Sequence, residues 1–238
     1  MTIHISPNPE KVAQDFASYF SEWVKDKPRA HLALSGGSTP KVLFRHWADQ
    51  YSEKIDWEKI HFFWGDERCV PPDHEESNFR MANELLLKPL GIPEGHIHRI
   101  RGEAAPEAEA ERYGQVLKQH LPARRNLPAF DIVLLGMGED GHTASIFPNQ
   151  MELLTESAPC AVATHPETGQ QRITLTGPVL NNASEVVFLV TGPGKAEKVK
   201  EIIENGAHSL RYPAAHVAPK EGKLQWYLDE AAALSVGR

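Results

Sequence analysis

The sequence predicts an α/β fold, with a mostly parallel, twisted sheet flanked by helices on both faces, in a single domain over residues 1–238. Two observations lead to this prediction. Short apolar runs of strand length alternate along the chain with longer segments whose apolar residues recur at helical spacing. Several of the apolar runs also end in polar, glycine-rich turns, as strands do at the carboxyl edge of a parallel sheet.

The strands are predicted from apolar runs and from alternation of apolar and polar residues. They cover, in order, residues 2–5, 30–34, 60–64, 97–100, 130–135, 161–164, 172–176 and 186–190, with a last short strand near Trp226 and Tyr227. Residues 2–5 alternate only weakly, which predicts an edge strand. A turn at residues 167–169 separates two of the later strands.

The first helix has a recognisable start, because Asn8 can cap it, Pro9 suits its first turn and Glu10 lies near the positive end of its dipole. Pro28 ends it. Further helices are predicted over residues 40–51, 77–87 and 106–121, from Lys195 to about Glu204, and in a small segment at the end of the chain.

Composition narrows the class of protein. The chain has 41% hydrophobic and 24% charged residues, which is ordinary for a globular protein. A net charge of −7 argues against a nucleic-acid surface, and no apolar run is long enough to span a membrane. The N-terminus lacks the features of a signal peptide, and two cysteines suit a reducing compartment, so we expect a cytoplasmic protein.

The turn of Ser35, Gly36, Gly37, Ser38 and Thr39 has the features of an anion-binding site. Its glycines allow backbone N–H groups to point inward, its hydroxyls add donors, and the next helix presents its positive end. The alternative is a tight strand-to-helix turn that binds nothing. The turn lacks the GxxxxGK[ST] pattern, so it does not imply a nucleotide.

Three cations stand out beside these turns, and two of them, Lys195 and Arg172, are candidate ligands for such an anion. Arg68 follows Asp66 and Glu67 in a predicted polar loop, residues 65–68, directly after a strand. Arg172 opens a strand, and Lys195 lies at the start of a helix. A lysine there opposes the helix dipole unless it faces an anion. Each of the three could instead be an ordinary solvated surface charge.

Residues 136–143 form a second glycine-rich turn, which follows the strand at 130–135 and carries Glu139, Asp140 and His142. His142 is a candidate general base, and a neighbouring acid could orient its ring. The turn matches G-x-G-x-x-G, but Pro148 leaves no room for the long helix that a dinucleotide site needs. No cluster of residues has the spacing of a metal site.

The four segments 32–43, 63–87, 131–148 and 172–195 resemble the 6-phosphogluconolactonase family over most of the chain. The most specific motif is Gly-x-Gly-x-Asp-Gly-His-Thr-Ala-Ser-x-Phe-Pro, from Gly136 to Pro148. The resemblance implies a Rossmann-like, glucosamine-6-phosphate deaminase-like fold. It also implies hydrolysis of 6-phospho-D-glucono-1,5-lactone without a metal or organic cofactor, with His142 as the catalytic base.

The related deaminase family is the nearest alternative, but the residues differ from its pattern. Thr143 stands where that family has isoleucine, Arg68 where it has tyrosine, and no glutamate precedes Pro148. A non-enzymatic sugar-phosphate sensor on the same fold is a second alternative, although the chain retains His142 and has no added DNA-binding segment.

The lactonase hypothesis gives the candidate residues roles. The phosphate would lie on Ser35–Thr39, paired with Arg172 and Lys195, and Arg68 would help to stabilise an oxyanion. Either Asp66 or Asp140 would orient the imidazole or the sugar hydroxyls. The expected partner is a small sugar-phosphate lactone, with no nucleic acid and no membrane, and the chain is expected to be a monomer or small homo-oligomer.

Overall fold

The computed structural model describes residues 1–236 and contains a six-stranded, fully parallel sheet in the order β1-β11-β10-β7-β2-β3. The strands of the structure are β1 (Thr2–Ser6), β2 (Ala30–Leu34), β3 (Ile60–Trp64), β4 (Asp66–Arg68), β5 (Ala123–Arg124), β6 (Leu127–Pro128), β7 (Ile132–Leu135), β8 (Cys160–Thr164), β9 (Gln171–Leu175), β10 (Glu185–Val190) and β11 (Lys223–Asp229). The predicted α/β fold with a mostly parallel sheet is confirmed.

Helices flank the main sheet. The α-helices are α1 (Pro9–Val24), α2 (Ser38–Gln50), α3 (Asn78–Ala82), α4 (Pro106–His120), α5 (Gly177–Leu180) and α6 (Ala196–Ile203). Single 3-10 turns lie at Trp57–Lys59, Glu94–His96, Met151–Leu154, Pro193–Lys195, Ser209–Arg211 and Pro213–His216. No helix within residues 1–236 combines the length and apolar character that crossing a bilayer requires.

The centre of the main sheet is almost entirely apolar. All four residues of β7 are buried, and the strand lies between β10 and β2. Strands covered on both faces need apolar side chains in both directions, which explains their continuous apolar runs. β1 forms one edge of the sheet, pairs only with β11 and is partly exposed, as predicted for residues 2–5.

Aromatic side chains join α1 to α2. Asn8 caps α1 through a 2.8 Å bond from the Lys11 N–H to its side-chain oxygen. Phe16 and Phe20 then approach Trp47 of α2, with ring centroids 5.9 and 5.0 Å away. All three side chains are fully buried, and burial of a large apolar side chain contributes roughly 1.5–3 kcal/mol.

A second, antiparallel sheet of three strands, in the order β4-β9-β8, corrects the predicted loop at residues 65–68. Gly65 donates to Leu34 O and accepts from the Leu175 N–H, so the chain passes there from the parallel sheet to the antiparallel one. Residues 66–68 then pair with β9 as a strand. The turn predicted at residues 167–169 connects β8 to β9, with Gly169 at φ 69°.

Three other predictions need correction. Residues 97–100 are not a strand, because only Ile97 bridges to Phe62 before the chain turns away. The helix predicted over 77–87 changes after α3 to one π-helical turn, Asn83–Leu87. The small last helix is absent from residues 230–236, which form turns; before them, the Asp229 carboxylate accepts from the N–H groups of Ala232 and Gly192.

Four histidines lie together beside β3. The His61 ring stacks on His96 at 4.2 Å, its Nδ1 lies 3.1 Å from His98 Nε2, and His98 lies 4.1 Å from the ring of His120. Burial, and then the neighbouring histidines, lower the pKa of both His61 and His98 to about 4. The folded protein therefore keeps both rings neutral in mild acid.

This cluster predicts an acid-sensitive stability. The unfolded chain takes up these protons near pH 6.5 and the folded chain only near pH 4, so the free energy of unfolding falls as pH drops through this window. His98→Phe should reduce the number of protons that the chain takes up on unfolding by up to about one. Urea unfolding at several pH values measures this uptake, and exposed His208→Phe serves as the control. An unchanged pH slope in His98→Phe would contradict the prediction.

Candidate active site

The carboxyl ends of β2, β7 and β10 and the β4–β9 pair surround one cleft of about 210 Å³. Every predicted site residue except Asp140 lines this cleft. Those residues are Ser35, Gly36, Gly37, Ser38, Thr39, Asp66, Arg68, His142, Arg172 and Lys195. Segments far apart in sequence therefore meet at the sheet edge where an open α/β fold binds its ligands.

The turn after β2 leads directly into α2, which begins at Ser38, two residues before the predicted start. Gly37 precedes the helix at φ 104°, a conformation that favours glycine. A Cβ on Gly36 would lie 1.9 Å from Asn78 Oδ1, so the backbone approaches that side chain closely. Thr39 Oγ1 lies 2.8 Å from Thr191 Oγ1, which joins this turn to the one after β10.

Arg68 and Arg172 stand directly opposite each other across β4 and β9. Like charges in such a pair repel, which favours an anion between or beside them. Burial, followed by the charge of Arg68, lowers the pKa of Arg172. One bond positions each guanidinium: Arg68 Nη1 donates to Glu76 O at 2.5 Å, and Arg172 Nε donates to Gln170 Oε1 at 3.3 Å.

Lys195 lies across the cleft from this pair, in the 3-10 turn immediately before α6. Burial lowers the pKa of Lys195, although the negative charges of Glu139 and Asp140 act in the opposite direction. Within residues 1–236 neither Lys195 nor the two arginines forms a close ion pair with a carboxylate, so all three can bind an anionic ligand.

The triplet Asp66-Glu67-Arg68 divides between two faces, because side chains alternate along a strand. Asp66 and Arg68 line the cleft, whereas the Glu67 carboxylate points to the start of α3. It accepts bonds from Ser77 Oγ at 3.0 Å and from the Asn78 and Phe79 N–H groups at 2.7 and 2.8 Å. Burial raises the pKa of Glu67, partly offset by these N–H groups. Glu67 therefore supports the structure of this wall.

His142 and Asp140 form a close pair, with Asp140 Oδ1 2.6 Å from His142 Nδ1. The same oxygen accepts from the His142 N–H at 3.1 Å. Burial raises the pKa of Asp140, but the bond and charge of His142 outweigh burial and leave that pKa lowered. Nδ1 faces Asp140, so Nε2 is the nitrogen available to a ligand.

Asp66, the other acid considered as a partner for the ring, has a different contact. Its Oδ2 accepts a 2.7 Å bond from the buried Ser145 hydroxyl, while the residue lines the cleft. Of the two acids left open by the sequence, Asp140 contacts the imidazole and Asp66 does not.

Gly138 makes the pair of His142 and Asp140 possible. A Cβ on Gly138 would lie 2.2 Å from His142 Nδ1 and 2.5 Å from Asp140 Oδ1. These distances are too short for any side chain, so even a methyl group must displace one or both partners.

We therefore expect Gly138→Ala to lower kcat by at least about 10-fold, because a small misplacement of a reacting group is costly. The measurement is the steady-state rate, at pH 7, of the lactone hydrolysis that the sequence resemblance implies. Gly95→Ala is the matched control, since nothing lies within 4 Å of a Cβ added there. Equal activity in the two variants would show that the His142–Asp140 geometry is not needed for turnover.

Three polar side chains at or behind the cleft were not predicted as site residues. Asn78 and Thr191 line it, and Ser145 binds Asp66 behind it. Asn78 follows Ser77, which caps α3 by accepting the Arg80 N–H at 3.0 Å, and that cap pattern was a usable signal. The only signal for Thr191 was its place after a predicted strand. Nothing local in the sequence indicates that Ser145 binds Asp66, which lies 79 positions away.

Comparisons with known proteins agree on one family. The family described as "Glucosamine-6-phosphate isomerases/6-phosphogluconolactonase" matches residues 7–226. A 6-phosphogluconolactonase of Treponema pallidum is 46% identical over 93% of this chain and 92% of its own length. One from Haemophilus influenzae is 44% identical, covering 94% and 93%. The solved 6-phosphogluconolactonase structure from Trypanosoma brucei superposes with a TM-score of 0.87 at 30% identity, covering 99% and 98%. The chain belongs to the glucosamine-6-phosphate isomerase/6-phosphogluconolactonase family.

Proposed function

We propose that this chain hydrolyses 6-phospho-D-glucono-1,5-lactone to 6-phospho-D-gluconate, the lactonase step of the oxidative pentose phosphate pathway. The names of its relatives support this substrate. The observation that carries the proposal is the meeting of an anion-binding turn, three cations and the His142–Asp140 pair in one cleft. The turn, Arg172 and Lys195 fit a phosphate, Arg68 fits an oxyanion, and the His142–Asp140 pair fits activation of water.

The phosphate lies on the backbone of the Ser35–Thr39 turn and pairs with Lys195 and Arg172. N–H groups at a helix start and cationic side chains are the usual ligands of a phosphate dianion. Binding at this remote group places the lactone carbonyl at the other end of the cleft, beside His142. The phosphate thus provides affinity and orientation without taking part in the reaction.

His142 Nε2 takes a proton from a water molecule, whose oxygen attacks C1 of the lactone. The carbonyl oxygen becomes an oxyanion, stabilised by Arg68 and by backbone N–H groups of the 136–141 turn. The tetrahedral intermediate then collapses, the bond from C1 to the ring oxygen breaks, and the imidazolium returns its proton to that oxygen. The products are a carboxylic acid, which ionises at neutral pH, and a free hydroxyl.

The two acids have separate roles in this scheme. Asp140 holds Nδ1 protonated and stabilises the imidazolium, so Nε2 carries the lone pair that accepts the proton from water. Asp66, held by Ser145, presents its remaining acceptor capacity to the sugar hydroxyls. The division follows from the contacts, since only Asp140 touches the ring.

A pH-stat assay tests the proposal with the intact chain. Freshly prepared 6-phosphogluconolactone should release acid faster than its spontaneous hydrolysis, and glucosamine 6-phosphate should yield no ammonia. The second substrate distinguishes the lactonase from the deaminase branch of the family. Acid release at the spontaneous rate would refute lactonase activity, and ammonia release would assign the chain to the other branch.

A further inference from the structure

The segment at residues 209–216, which we call the Tyr212 segment, packs against the turn that carries His142. The ideal Cβ position of Gly141 lies 2.6–2.7 Å from three atoms of Tyr212, so the aromatic side chain lies directly on the Gly141 backbone. The Ala214 N–H also donates to Gly141 O at 3.1 Å. Gly141 has a φ of 81°, and it immediately precedes His142.

Tyr212 also contacts the helix that follows Lys195. The nearby Glu201 carboxylate, with a smaller contribution from burial, raises the pKa of Tyr212 to about 12. Glu201 lies on α6, which begins one residue after Lys195. The Tyr212 segment therefore contacts both the turn of the proposed base and the helix that follows Lys195, a proposed phosphate ligand.

A second contact joins the same two elements at the cleft. A Cβ on Gly194 would lie 2.6 Å from Glu139 Oε1, so the Glu139 side chain lies against the turn that contains Lys195. Residues 139–141 therefore have two contacts. Glu139 lies against the 193–195 turn, and Gly141 lies against Tyr212. Neither Glu139 nor Tyr212 lines the cleft.

We propose that Tyr212 is a positioning residue that sets the place of His142 relative to the phosphate-binding Lys195. Phosphate binding accelerates the reaction only if the anchored substrate presents its carbonyl at the correct distance from the base, and misplacement by about 1 Å can cost 10²-fold. Tyr212 maintains this distance by its ring contact with Gly141, in a segment that also packs against α6. The inference rests on the proposed lactonase function.

The test measures how much the phosphate group of the substrate raises kcat/KM. kcat/KM is determined for 6-phosphogluconolactone and for D-glucono-1,5-lactone, which lacks the phosphate, and the ratio of the two values is compared among variants. Tyr212→Ala should lower this ratio by about 10- to 100-fold, because it uncouples the base from the phosphate ligand. Leu210→Ala, in the same segment with its side chain 71% exposed, should leave the ratio unchanged.

Tyr212→Phe separates the two contacts of the tyrosine. It keeps the ring on Gly141 but removes the hydroxyl beside Glu201, so the ratio should fall by roughly 3-fold, the effect of losing one weak polar contact. This variant retains the shape of the core, and it carries the test if Tyr212→Ala does not fold.

A general loss of stability would lower both kcat/KM values equally and leave their ratio unchanged. An unchanged ratio in folded Tyr212→Ala, or in Tyr212→Phe if the alanine variant is unfolded, overturns the positioning role. Absence of activity on either lactone in the unmodified protein is a different result, because it refutes the proposed function itself.

Discussion

His142→Asn should lower kcat for 6-phosphogluconolactone by about 10²–10⁴-fold, the usual cost of removing a general base. Asparagine can still accept from or donate to neighbours, but it cannot take a proton from water at neutral pH. Its shorter side chain also leaves the Asp140 carboxylate without its 2.6 Å partner. KM should change little, since the phosphate ligands remain. Initial rates at saturating substrate, corrected for spontaneous hydrolysis, measure the effect.

His165→Asn is the matched control for this experiment. The rings of His142 and His165 both contact Phe147, with centroids 4.8 and 5.2 Å from it, but only His142 lines the cleft. The control should keep near-normal kcat. If His142→Asn retains more than about a tenth of the rate, proton transfer by this residue contributes less than a general base should, and another group activates the water.

The parallel sheet could be predicted from the sequence because its strands carry unmistakable patterns. β2, β3, β7 and β10 are short, apolar and followed by polar turns, and three of these strands lie in the buried interior of the sheet. Their order in the sheet was not predicted, because it depends on pairing between distant segments such as β2 and β7, but parallel strands in any order place their carboxyl ends at one edge. The convergence of the turns after β2 and β7 followed from the same rule.

The second sheet was harder to predict because β4 is a polar strand of three residues. Its pattern, two acids and an arginine, is typical of a solvated loop. What makes Asp66–Arg68 a strand is its pairing with β9, more than a hundred residues later in the chain. That pairing also explains why Glu67 faces away from the cleft and why Arg172 stands opposite Arg68.

Supporting contacts were the least predictable part of the site. The choice between Asp66 and Asp140 depends on side-chain direction at the end of β7, which composition does not encode. The contact of Tyr212 with Gly141 joins residues 71 positions apart through an irregular segment without periodicity. By contrast, the bond between Asp140 and His142 spans two residues. Local contacts of this kind are the ones that a sequence motif can indicate.

Lys195→Met should raise KM for 6-phosphogluconolactone by about 10- to 100-fold, because a hydrogen bond to a charged group contributes about 1.5–3 kcal/mol. Methionine keeps an unbranched, flexible side chain and removes the ammonium group, with its charge and its N–H donors. Partial burial of Lys195 strengthens its attraction for a phosphate, since fewer water molecules screen it. The kcat should fall less than KM rises, because His142 and Asp140 are untouched.

Lys198→Met is the control, since Lys198 lies on the same helix, has its Nζ 3.3 Å from Glu197, and does not line the cleft. The loss in Lys195→Met must also depend on the phosphate, so D-glucono-1,5-lactone should be hydrolysed by both variants at nearly the unmodified rate. Equal losses on the two lactones would place Lys195 near the carbonyl, and an unchanged KM would leave Arg172 and the Ser35–Thr39 turn as the phosphate ligands. Comparison of the two lactones therefore tells whether the charge of Lys195 anchors the phosphate or stabilises the oxyanion.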